Sequence, residues 1–107
     1  MISDETDQDS KQKVVFVSEK PLFELGQLLM TPGVNDAIDI GTRIYALVQH
    51  SAGNWGDVVE EDKQANDEAV ENDGRIFSAY SSNDGTKFWV ITEADRSSTT
   101  LLLPSEY

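Results

Sequence analysis

The stretch RIFSAYSSNDGTKFWVITEADRSSTTLLLP, residues 75–104, decides the fold. Two runs rich in β-branched and aromatic residues, Arg75–Ser81 and Lys87–Glu93, flank Asp84-Gly85, a dipeptide suited to the positive φ angles of a tight hairpin. Ala94–Ser97 makes a second turn, Thr99–Leu103 a third strand, and Pro104 stops it. Successive strand residues alternate between faces, so Ile76, Ser78 and Tyr80 share one face of the meander and Phe77 and Ala79 the other. Trp89, in the middle strand, is expected in the core.

Immediately upstream lies GNWGDVVEEDKQANDEAVENDG, residues 53–74. It reads as one helix opened by Asp57, with Glu60 completing a capping box, and closed by Gly74. Val58, Ala65 and Ala69 form a narrow apolar seam, flanked by Val59 and Val70. Asp57, Glu60, Glu61, Asp62, Asp67, Glu68, Glu71 and Asp73 stand against the single cation Lys63. Eight acids over about 25 Å give one charge per roughly 3 Å, within a factor of two of the one per roughly 1.7 Å of duplex DNA. Glu68, Glu71 and Asp73 lie at the negative end of the helix dipole, each at a cost of a few tenths of a kcal/mol.

Further upstream, Thr31-Pro32 is a cap followed by a favoured first helical residue and predicts a short helix over Pro32–Asp39. Gly41 is expected to break it. A second helix is expected over Thr42–His50, with Ile44, Leu47 and Val48 as its apolar stripe and Gly53 as its stop. Leu22–Met30 reads as a buried strand or a helical turn, weakened by Gly26. Val14–Val17 reads as a short strand, and residues 1–12 as a disordered acidic tail before one domain over 13–107.

The chain has 107 residues, 38 % of them hydrophobic, and a formal net charge of −12. That charge opposes direct binding to nucleic acid or an anionic membrane, since both need cations at the contact. It leaves basic partners, cations or simple solubility as what the charge serves. Cysteine is absent, which removes disulfides, thiolate nucleophiles and cysteine-ligated metals. No apolar run approaches the roughly 18 residues of a membrane span, and the acidic start is the reverse of a signal peptide, so a cytoplasmic setting is expected.

Two constellations could carry chemistry. His50, the single histidine, precedes Trp55 and Asp57 and could act as a general base oriented by the carboxylate; the simpler role is to cap carbonyls at a helix end. Glu93, Asp95 and Arg96 surround a tight turn that could hold a cation or an anion; the simpler role is an internal ion pair. Trp55, between Gly53 and Gly56, is either a core plug or a partner anchor. There is no phosphate loop, dinucleotide fingerprint or zinc motif, and no cofactor or metal is expected.

The runs His50–Asp57 (HSAGNWGD), Glu61–Asn66 (EDKQAN), Arg75–Tyr80 (RIFSAY), Trp89–Arg96 (WVITEADR) and Thr99–Pro104 (TTLLLP), with Met30–Val34 (MTPGV) upstream, together resemble a family of small uncharacterised bacterial proteins. Its members are labelled plasmid-related and are carried on plasmids and integrative elements. The resemblance spans Leu25–Tyr107 and implies a bacterial, mobile-element setting. The family pattern has Asp where this chain has Asn54.

The expected architecture is α+β: a three- or four-stranded antiparallel meander with about three helices on one face. The expected function is a non-enzymatic accessory role, binding a basic nucleic-acid-handling or defence protein through Glu60, Glu61, Asp67, Glu68, Glu71 and Trp55, as a DNA mimic. The alternatives are a small enzyme or ligand-binding domain whose pocket gathers His50, Asp57, Glu93, Asp95 and Arg96, and a homodimer joined through an edge strand of the meander.

Overall fold

Residues 21–107 are described by the computed structural model; the expected tail and the strand at Val14–Val17 lie outside them. The order is β1 (Gln27–Met30), α1 (Pro32–Ala37), α2 (Ile40–Ser51), α3 (Glu60–Asn72), β2 (Ile76–Ser81), β3 (Lys87–Thr92), β4 (Ser98–Leu102) and a 3₁₀ turn, Pro104–Glu106.

The meander forms as the turn chemistry dictates. β2 and β3 pair from Ile76↔Thr92 to Ser81↔Lys87. Asp84 closes their loop by accepting from Thr86 N–H at 3.0 Å, and Gly85 takes φ 89°. β3 and β4 pair from Trp89↔Leu102 to Thr92↔Thr99. The helices cover the face bearing Ile76, Ser78, Tyr80, Phe88, Val90, Thr92, Thr99 and Leu101. There Val34, Ile38 and Ala46 join Phe88, Val90 and Leu101 in the main core cluster. On the other face Trp89 makes edge-to-face contacts with Phe77 and Tyr107.

The sheet is mixed rather than wholly antiparallel. Its order is β1-β4-β3-β2, and β1 runs parallel to β4 from Gln27↔Ser98 to Met30↔Leu101. Three helices carry the chain across one face to the far edge, and the meander then steps back until β4 meets β1. Gly26 makes this approach tolerable: at φ 66°, a Cβ there would lie 2.4 Å from the Arg96 carbonyl oxygen. The strand so placed is exposed, not buried.

Helix ends also depart from expectation. The break between α1 and α2 falls at Ile38–Asp39, where Asp39 caps α2 by accepting from Thr42 N–H and Oγ1–H, so Gly41 lies inside the first turn. The acidic helix starts at Glu60 after Val59, with no side-chain cap; Asp57 instead lends its backbone N–H to Ala79 O at 2.8 Å. Asp73 takes the left-handed position that ends α3, one residue before Gly74.

The seam of α3 holds at Val58, Ala69 and Val70 but takes Asn66 in place of Ala65. Ala65 is exposed, and Asn66 and Ala69 are buried. The Asn66 amide donates to Phe77 O at 2.7 Å and accepts from Phe77 N–H at 3.0 Å, so one side chain satisfies both outward backbone groups of a strand residue. Two residues on, Ala79 N–H donates to Trp55 O, completing the pairing with Asp57. Gly56 is pressed so close that a Cβ would sit 1.9 Å from Ala79 O. The outer edge of β2 is thereby closed along Phe77 and Ala79.

Asn66→Ala is expected to lower stability in urea by about 2–3 kcal/mol, because it leaves a partly buried N–H and C=O unpaired, and to accelerate amide exchange at Phe77.

Candidate functional site

His50, in the last turn of α2, has no exposed surface. It neither caps the helix through its ring nor reaches solvent. Its Nδ1 lies 2.6 Å from Ser78 Oγ and its Nε2 2.8 Å from Thr92 Oγ1. Thr92 Oγ1 lies 2.7 Å from Thr99 Oγ1, and Thr99 Oγ1–H donates to Leu25 O at 2.7 Å.

These distances fix the direction of every bond, because a hydroxyl has one proton to give. Thr99 spends its proton on the carbonyl of Leu25, so it accepts from Thr92. Thr92 therefore accepts from His50, whose Nε2 must carry hydrogen, and Nδ1 accepts from Ser78. The chain of donors runs Ser78, His50, Thr92, Thr99, Leu25 and is fully satisfied. A second proton on the ring would meet the Ser78 hydroxyl hydrogen and would charge a group with no counter-ion. Burial accordingly pushes the His50 pKa down to about 3.

Phe23, Trp55 and Arg96 close around this ring. Phe23 meets His50 edge-on at 5.3 Å and stacks on Trp55 at 6.2 Å. The Arg96 guanidinium lies 5.5 Å from the Phe23 centroid. Trp55 is a core plug, and its Nε1–H donates to Asp67 Oδ1 at 3.1 Å. Tyr80, whose hydroxyl donates to Asn54 O at 2.7 Å, has its pKa raised to about 12, chiefly by burial.

Among the described residues Arg96 pairs with no carboxylate. It stands at φ 62° and donates to Gly74 O at 2.6 Å and Ala69 O at 2.8 Å, placing a cation on the C-terminal carbonyls of α3. This offsets the unfavourable end of the helix dipole where Glu68, Glu71 and Asp73 sit. Asp95, exposed, accepts from Ser97 N–H at 2.9 Å within the turn; that bonding to Ser97 lowers its pKa. Glu93 meets Arg75 at 3.5 Å, with both side chains nearly half exposed, a pair of little energetic weight.

The pocket expected from His50, Asp57, Glu93, Asp95 and Arg96 is not assembled around one cavity. His50 is sealed, Arg96 faces α3, Asp57 is exposed on the Trp55 loop, and Glu93 turns to Arg75 on the opposite face of the sheet. Among the described residues, no group of three or more His, Asp or Glu side chains could hold a metal ion, and no helix is long and apolar enough to cross a membrane.

Glu60, Glu61, Glu68 and Glu71 are exposed along α3, with Asp67 beside them bonded to Trp55. Among the described residues the single ion pair is Arg75–Glu93, so no carboxylate of α3 is neutralised by a described cation.

Sequence reasoning missed Ser78, Thr92, Thr99 and Asn66. Their signal was a polar residue at an inward strand or helix position, which demands a buried partner; His50 was the available side chain.

No family model, curated protein or solved structure matches this chain.

Two outcomes are expected. His50 is neutral in the folded chain and protonates near pH 6.5 when unfolded, so the unfolded state binds more protons below that value. Stability is full above pH 6.5 and falls as pH drops toward 3. Ordinary carboxylates stay ionised between pH 6.5 and 5, so a loss of about 1.5 kcal/mol over that window is set by His50. Urea titrations across it should slope in wild type and be flat in His50→Gln. Arg96→Ala should cost about 2–3 kcal/mol by removing charge-assisted bonds to the helix end, and Arg96→Lys should restore less than half, since an ammonium cannot fork between two carbonyls.

Proposed function

We propose that this protein is a non-enzymatic accessory factor of a mobile genetic element that binds a basic, nucleic-acid-handling or defence protein through the face of α3, as a DNA mimic. The observation that carries this reading is a firmly mounted helix whose acids form no ion pair among the described residues. Glu60, Glu61, Asp62, Asp67, Glu68, Glu71 and Asp73 belong to α3 and its cap. Thirteen residues span about 20 Å, the length of roughly six phosphates of one DNA strand at 3.4 Å each.

Rigidity matters because a flexible acidic tail loses conformational freedom on binding, whereas a fixed array does not. Asn66 clamps α3 to β2, Arg96 holds its C-terminal end, and Asp67 holds Trp55. None of these contacts uses Glu60, Glu61, Glu68 or Glu71. The setting follows from the resemblance to plasmid-related proteins; the charge and its mounting come from the chain itself.

The test is affinity capture with the full chain from nuclease-treated bacterial lysate, beside a variant carrying Glu60→Lys, Glu61→Lys, Glu68→Lys and Glu71→Lys. Asp67 is left intact because it bonds Trp55. Wild type is expected to retain a DNA- or RNA-handling protein that added duplex DNA displaces. Raising salt or reversing the charges should weaken capture at least tenfold, with the circular dichroism of the variant unchanged. Capture indifferent to the four reversals, or no basic protein captured, overturns the reading.

A further inference from the structure

The two edges of the sheet differ. The β2 edge is closed by Asn66 and the Trp55–Asp57 loop, while nothing among the described residues pairs with the outer side of β1. Gln27 N–H donates to Ser97 O and Thr31 N–H to Leu101 O, so residues 27, 29 and 31 address β4. Leu28 and Met30, in the alternate positions, direct their backbone N–H and C=O outward.

The side chains there are apolar and open to solvent. Leu28, Leu29 and Met30 are 54 %, 42 % and 46 % exposed, and Ile40 on α2 is 67 % exposed. The apolar stripe of α2 meets them, with Leu47 also packed against the main core cluster and Ile44 exposed. Ile44 and Leu47 join Leu28 and Met30 around a cavity of about 200 Å³. A second cavity, of about 300 Å³ and bordered by Leu25 and Val48, continues it. Natural proteins blunt open edges with Lys, Pro or a bulge; the sequence of β1, QLLM, has no charge and no proline.

We propose that this edge is the interface between two copies of the chain, paired antiparallel through β1 about a twofold axis at Leu29. That register sets Leu28 opposite Met30 of the second copy, and Met30 opposite its Leu28. Each is a pair of outward-facing residues that exchange both backbone hydrogen bonds. Leu29 meets its own symmetry mate, and the grooves beside α2 join across the axis.

Electrostatics select a second copy as the occupant. Two chains of net charge −12 can associate only where their acids stay apart. Among the described residues Arg43 is the one charged side chain lining the groove, and its guanidinium is already bonded to Ile38 O and Asn35 O. α3 lies along β2, at the far side of the sheet. In an eight-stranded dimer sheet the two β2 strands stand about seven spacings apart, about 34 Å, against a screening length of about 8 Å at physiological salt. Among the described residues a strongly basic partner would find no carboxylate lining this groove. The pairing is self-complementary, as a twofold interface requires.

The proposal is independent of the function assigned to α3, and its test reads oligomeric state alone. Light scattering on the full chain over a concentration series is expected to give twice the chain mass. Leu29→Lys and Ile44→Lys should each raise the dissociation constant at least tenfold without altering circular dichroism. Val59→Lys, at an exposed apolar site beside α3, should leave the dimer intact. Should a groove variant misfold, amide exchange on wild type decides: Leu28 and Met30 should slow as concentration rises. A monomeric full chain, a dimer indifferent to both groove variants, or exchange at those amides independent of concentration overturns the proposal. Slow exchange in a monomer would assign the edge to residues 1–20 of the same chain.

Discussion

A neutral imidazole at the centre of the molecule holds the two halves of the fold in register. His50 comes from α2, Ser78 from β2, Thr92 from β3 and Thr99 from β4, and the chain of donors ends on the backbone just before β1. Each member has no better partner than the next, and a buried polar group left unpaired costs about 1–3 kcal/mol. Slipping any one strand by a residue would turn its hydroxyl to the other face and strand the rest. The hydrophobic clusters on either side, one around Phe88 and Val90 and one around Trp55 and Ile76, could repack in several ways. The donor chain allows one.

The acidic helix depends on that centre at second hand. Trp55 packs against His50 and reaches Asp67, Phe23 packs against both rings, and Arg96 crosses the Phe23 ring to reach the carbonyls of Ala69 and Gly74. Two arginines are placed on backbone oxygens: Arg96 on the end of α3, and Arg43 on the end of α1. The exposed carboxylates of α3 are left without described counterparts. A negative face and an uncharged edge, on opposite sides of one sheet, follow from that allocation.

The local features of the fold were legible in the sequence and the long-range ones were not. Asp84-Gly85, Thr31-Pro32 and the alternation through Ile76, Ser78 and Tyr80 act over a few residues, and each gave the right element. The parallel pairing of β1 depends on residues about 70 positions away and leaves no local mark. Asp57 has the spacing of a cap, yet its backbone is drawn to Ala79, so helix formation waits until Glu60. Ala65 looks like seam and Asn66 like surface, because propensity favours alanine inside; the edge of β2 needed an amide more than a methyl group. His50 was weighed as base or cap, whereas its role comes from three hydroxyls on three different strands, a pattern visible only when the strands are side by side. The candidate pocket failed for the same reason: its two groups, His50 with Asp57 and Glu93 with Asp95 and Arg96, had to meet across the fold, and their side chains serve separate backbones instead.

The parallel attachment of β1 also bears on how the chain assembles. The meander, the α3–β2 clamp and the run of helices all close over short spans. β1 and β4 must bridge most of the chain, and the entropy of closing so long a loop is met before any of their bonds is made. β1 also gives no buried residue to the core. A strand with late-forming bonds and little apolar anchorage is the natural unit of partial opening, able to detach and return while the donor chain and the rest of the sheet persist. The least cooperative element of the fold is therefore also the one that carries its open apolar edge.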